Sequence, residues 1–187
     1  MSETCPLRSP VLRDVARWWI DAYGGERLPS RHEIDHMAVR YALPYIWLVD
    51  WEADTDTFRY RLAGEHVNAT FGFSLRGKLL SEIAEPHILD TVRQRFLHVV
   101  KGPGAVHASG RVYSRAGGHR EGERLILPLA DDGVMPTHLL GTTDYGSSYL
   151  VSPQPPPPEY MQEDFLSLDD VVSWSADLQA DRRAQTG

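Results

Sequence analysis

Apolar side chains at Val11, Val15, Trp18 and Ala22, flanked by Leu12, Trp19 and Tyr23, recur at helical spacing and give one wide apolar face. The run predicts a helix. Ser9 and Pro10 suit its start, since serine caps orphan amides and proline fits the first helical position. Gly24 and Gly25 suit its end. Asp35 can cap a short helix over residues 36–42, which Pro44 closes. The spacing then changes. Residues 45–51 and 57–62 are aromatic and β-branched and flank a polar connector, 52–56, which is a hairpin signal. The first of these strands is apolar on both faces, with Tyr45, Trp47, Val49 and Trp51 on one and Ile46 and Leu48 on the other. Both faces therefore need cover: one from the domain's own helices, the other from the N-terminal helix or a second subunit. The second strand points Phe58, Tyr60 and Leu62 one way, and Arg59 and Arg61 the other.

After Gly77 a helical piece fits residues 79–84. Pro86 opens a longer helix on Ile88, Val92, Phe96, Val99 and Val100, and residues 102–104 end it. Three further strands fit 105–114, 123–130 and 135–144, the last two joined by a tight turn at Asp131, Asp132 and Gly133. The body stops near Tyr149. Prolines at 153 and 155–158 read as an extended linker. Beyond it, Ser167 and Asp170 resemble a capping box ahead of the ragged stripe Phe165, Leu168, Val171, Val172, Ser175 and Leu178. Two readings of this tail stand side by side: a helix that docks on the body or a partner, and a partly disordered acidic tail. The divisions are 1–34, an N-terminal helix and connector; 35–149, the domain; and 150–187, the linker and tail.

The 187 residues carry a formal charge of −7, unevenly spread. Residues 150–187 hold seven acids and two arginines, whereas the rest is nearly neutral. No basic face for nucleic acid is formed. Cys5 is the only cysteine, so no internal disulfide is possible. The N-terminus lacks the apolar segment of a secretory signal, and no apolar run approaches membrane-spanning length. These features point to a cytoplasmic protein that meets neither membrane nor nucleic acid.

Two motifs invite chemistry. His32-Glu33-Ile34-Asp35-His36 matches the spacing of zinc hydrolases, where both histidines share one helical face and glutamate polarises water. Here Arg31 and Asp35 put charge where a buried site needs apolar side chains, and Asp35 splits the required helix. Zinc-dependent hydrolysis therefore stays a remote alternative, and no metal site is assigned. The run GFSLRGKL at 72–79 approaches a phosphate-binding loop, but Leu79 replaces the magnesium-binding hydroxyl, and Phe73 and Leu75 crowd the backbone.

The order helix, short helix, two strands, short helices, long helix, three strands resembles a PAS domain, and more narrowly the single-domain PAS_5 family. The residues that carry the resemblance are Trp19, Leu28, Pro29, Arg31, Ile34, Asp35, Leu43 and Pro44, then FRYRLAG at 58–64, Phe71 and Gly72, LRG at 75–77 and RLILPL at 124–129. They span about residues 16–146. The resemblance implies an α+β fold, a five-stranded antiparallel sheet with helices on one face forming a pocket. It also implies a non-enzymatic sensor that binds a small molecule, dimerises and signals through its terminal helices.

On that basis Phe58, Tyr60, Leu62, Phe71, Phe96, Leu127 and Leu139 are expected to line the pocket, with His66 as a polar handle. The same side chains would equally fill a closed core, which leaves a structural adaptor without ligand as the alternative function. Val15, Trp18, Trp19, Tyr45, Trp47, Val49 and Trp51 are expected at a homodimer interface, and a signalling partner is expected at the acidic C-terminal segment. No cofactor is assigned. A flavin photoreceptor needs a cysteine near Asn68, and none is there. A haem site would use His98, or less well His87.

Overall fold

A computed structural model of the chain describes residues 4–113, 118–151 and 161–186. Helix α1 (Pro10–Tyr23) begins at the expected proline and ends at Gly24, whose φ of 58° lets its amide reach the Ile20 carbonyl. Ser9 departs from expectation, because its side chain caps nothing in the helix. Its hydroxyl instead donates to Asp144 Oδ2 at 2.7 Å and its amide to Glu123 Oε2 at 2.7 Å, which anchors the start of α1 to the sheet. Asp35 does cap, accepting the Met37 and Ala38 amides, but residues 36–42 form turns rather than a helix.

Strands β1 (Ile46–Glu52) and β2 (Thr57–Ala63) form the expected hairpin. Helices α2 (Glu65–Phe71), α3 (Leu80–Ile83) and α4 (Pro86–Lys101) follow. Then come β3 (Gly104–Tyr113), β4 (Gly118–Leu129) and β5 (His138–Val151). A sixth strand, β6 (Met161–Ser167), leads into α5 (Leu168–Ser173) and α6 (Ser175–Thr186). The strands make one antiparallel sheet in the order β2-β1-β5-β4-β3-β6. The fold is thus α+β and PAS-like, with β6 added beside β3.

Apolar residues on both sides of the sheet require two covering layers. On one side α2, α3 and α4 pack on Trp47, Val49, Phe58, Tyr60, Ile126 and Leu139. On the other, α1, α5 and α6 pack on Ile46, Leu125, Leu127, Leu129 and Leu140. Trp19 is fully buried there, and its indole N–H donates to the Pro128 carbonyl at 2.9 Å. Pro128 lies past the β3 ladder, which stops at Ile126, so its missing N–H breaks no sheet bond.

Most of the residues expected at a dimer surface are covered within the chain itself. Val15, Trp18 and Trp19 are buried in the chain's own core. Trp47, Val49 and Trp51 belong to the layer under α4, and it is Ile46 and Leu48 that face α1. Tyr45 sits in a 3-10 turn and stacks on His66 with ring centroids 4.5 Å apart. Alternation in the sequence separates two faces but does not say which helices cover which.

The tail resolves toward docking. Ser167 and Asp170 form the capping box that opens α5. Val171, Trp174 and Leu178 are buried against α1. Polar ties add to this contact: Arg13 pairs with Asp181, Arg17 Nη2 donates to the Leu178 carbonyl at 2.9 Å, and the Cys5 amide donates to Asp177 Oδ2 at 2.9 Å. Acids of the tail thus meet donors of the N-terminal segment. The proline linker, with its prolines at 153 and 155–158, lies outside the described residues. Among the described residues no helix is long and apolar enough to cross a membrane.

A candidate ligand cavity

A cavity of about 110 Å³ lies between the sheet and the three helices α2, α3 and α4. A cavity of roughly 150 Å³ holds a benzene-sized molecule, so this smaller one takes at most a group of about that size. Its roof is apolar: Val67 and Phe71 of α2, Leu80 and Ile83 of α3, and Ile88, Val92 and Phe96 of α4. Helical spacing sets these side chains on the inner faces, since positions 88, 92 and 96 are one turn apart. Asn68 of α2 ties three neighbouring segments together. Its Nδ2 donates to the Ala63 carbonyl at 2.8 Å and its Oδ1 accepts the Leu75 amide at 2.9 Å.

The floor is polar and comes from the strands. Trp47 of β1, Tyr60 of β2, Arg124 of β4 and Tyr145 of β5 all reach the cavity. Thr143 Oγ1 joins two of them, accepting from Trp47 Nε1 at 3.0 Å and from Arg124 Nε at 3.1 Å. Arg124 also hydrogen-bonds the Tyr145 phenol. Burial pushes the Tyr60 and Tyr145 phenols up, so both stay neutral. The Trp47 indole lies over Gly141, its partner on β5, where any Cβ would fall within the ring. Trp47 also stacks on Phe96, with centroids 5.5 Å apart. Arg95 of α4 reaches the cavity wall as well, and its guanidinium pairs with Glu163 of β6.

Of the eight expected lining residues, Tyr60, Phe71 and Phe96 meet at the cavity. Phe58 and Leu139 are buried in the same layer, behind the lining; Phe58 meets Phe96 edge-on at 5.2 Å. The other three are misplaced. Leu127 lies on the α1 side, because β4 alternates Leu125, Leu127 and Leu129 away from Ile126. Leu62 is 45 % exposed. Leu48 pairs with Leu62 and Val49 with Tyr60, so Arg61 is an extra residue that turns Leu62 to the face of Leu48. His66 is exposed and stacks on Tyr45 rather than entering the cavity. Sequence reasoning missed Arg124 and Tyr145. Their signal was a charged residue inside the apolar run at 124–129, two places from Ile126 and therefore on the same face.

The tempting motifs take other roles. Residues 31–33 form one 3-10 turn capped by Ser30, and Ile34 is extended, so His32 and His36 share no helix. Glu33 is occupied by Arg27 and the Ser30 amide, and the hydrogen bonds from Arg27 hold its carboxyl down at about 2. Among the described residues no group of three His, Cys, Asp or Glu side chains is placed to hold a metal. The loop at 72–79 turns its Gly77 amide to the Tyr60 carbonyl at 2.7 Å and its Lys78 amide to Leu75, leaving no phosphate cradle. His87 is exposed beside Glu85, and His98 packs edge-on against Phe165 of β6, outside the cavity.

A family model described as PAS_5: PAS domain matches residues 7–143. No curated protein matches the chain. Among solved structures, VqmA bound to DPO aligns over 60% of this chain and 56% of its own, at 13% identity and a TM-score of 0.48. A second VqmA structure, from Vibrio cholerae, is covered over 52% of its length, so the chain spans little more than half of these first relatives. The PAS domain of Bordetella pertussis BvgS aligns over 60% of this chain and 84% of that one, at 17% identity and a TM-score of 0.48. A PAS domain from Colwellia psychrerythraea aligns over 60% and 98%, at 15% identity and a TM-score of 0.43.

Proposed function

We propose that this chain, which belongs to the PAS_5 family of PAS domains, is a non-enzymatic cytoplasmic sensor that takes a small molecule under α4. PAS domains are in general sensory and regulatory folds. The observation that carries the proposal for this chain is the cavity itself: an apolar roof over a few convergent polar groups, the usual character of a small-molecule site.

Output would leave through the C-terminal segment. Arg95 touches both the cavity and β6, and β6 continues into the α5–α6 pair that packs on α1. A ligand that favours one position of α4 would bias that contact, by no more than its differential affinity for the two states. The receiver is a protein partner that reads the acidic segment around 159–180. A second copy of the chain would have to meet a surface other than the buried α1 face; the exposed Met37, Tyr41 and Leu43 are available.

Native mass spectrometry of the purified chain, with thermal shifts across a panel of metabolites, tests this reading. A bound or stabilising small molecule that Val92→Phe excludes supports it. No bound molecule and no shift across the panel favours the adaptor with a filled core.

A further inference from the structure

The cavity floor holds a cation that no carboxylate among the described residues neutralises. Arg124 is half-buried on β4, and its hydrogen bonds go to neutral groups, Thr143 Oγ1 and the Tyr145 phenol. A guanidinium carries five N–H donors, so part of its fork remains available. Among the described residues no acid pairs with it. Other arginines here are treated differently: Arg95, on the same cavity wall, pairs with Glu163; Arg59 pairs with Glu52; and Arg61 pairs with Asp50. Leaving a partly desolvated charge without its counter-charge is costly, and a bound anion removes the cost.

Resting on the reading of this cavity as a ligand site, we infer that its ligand is a small amphipathic monocarboxylate whose carboxylate pairs with Arg124. The Tyr60 phenol, neutral and on the same floor, is placed to donate to the same group, while Tyr145 is held by Arg124 and Thr143. The body of the ligand lies against Ile88, Val92 and Phe96. Apolar walls disfavour a strongly hydrated anion such as free phosphate. The volume of about 110 Å³ limits the body to one ring or a short chain. Glu85 at the wall opposes a second negative charge.

Isothermal titration of the full chain with phenylacetate, 3-phenylpropanoate and hexanoate, each against its neutral amide, reads this directly. The acids bind about 10- to 100-fold tighter than the amides. Arg124→Met abolishes that preference and leaves amide binding unchanged, and Arg124→Lys restores part of it. Equal binding of acids and amides, or a preference that survives Arg124→Met, overturns the carboxylate while the ligand cavity stands. Binding of neither set overturns both. Circular dichroism checks each fold; if Arg124→Met unfolds, the acid-to-amide ratio on the natural chain and on Arg124→Lys decides.

Discussion

Arg95 of the long helix pairs its guanidinium with Glu163 of the last strand, and the pair is almost shut off from water, with 6% and 17% of the two side chains exposed. It joins the cavity wall to the C-terminal segment. Removing the carboxylate takes a charged partner from a buried cation. Glu163→Gln is therefore expected to cost about 3 kcal/mol in denaturant unfolding. Hydrogen exchange at 161–167 should accelerate more than exchange in β1. Unchanged exchange at β6 would show that the pair does not hold the strand.

Gly141 leaves room for the Trp47 indole, and no side chain fits between them. Gly141→Ala should lower stability by about 2–3 kcal/mol through overpacking, and should shift the tryptophan emission as Trp47 is displaced. A variant as stable as the natural chain would mean that the indole lies elsewhere.

Trp174 is 2% exposed, in the segment that composition alone left open between a docked helix and a disordered tail. Trp174→Ala is expected to cost about 3–5 kcal/mol, the loss seen when a large core side chain is truncated. A change below about 0.5 kcal/mol, typical of a surface site, would mean the tail does not share the core.

Glu123 sets an acid limit. Burial pushes its carboxyl up, but hydrogen bonds from His107 Nε2 and from the Arg8 and Ser9 amides outweigh that and hold it below its ordinary 4.5. Its value is lower folded than unfolded, so its stabilisation is full above pH 4.5 and is lost as pH falls toward the lowered value. Unfolding midpoints taken between neutral pH and the acid limit should drop below that point, and Glu123→Gln should flatten the drop. An equal slope in the variant would assign it to other carboxylates.

Much of the fold was legible because single elements carried their own signals. The α1 stripe, the hairpin at 45–62 and the capping box at Ser167 and Asp170 each stand where local pattern puts them. The site was legible only in part, because a lining residue is defined by which face of a strand it occupies. One extra residue, Arg61, reversed Leu62. In β4 both faces are apolar, so Leu127 and Ile126 looked alike in the sequence. The pairing of β6 with β3 joins residues about 60 apart, across a proline-rich stretch that local pattern cannot bridge.

Whether the space under α4 is an open site or packed core can be tested without any ligand. Val92 lines the cavity from α4, and Val92→Phe adds a ring where the account places empty volume. Equilibrium unfolding in urea should give the variant a stability equal to or above that of the natural chain, with an unchanged denaturant slope. A loss of about 1–3 kcal/mol, as when methylenes are forced into a filled core, would contradict the account.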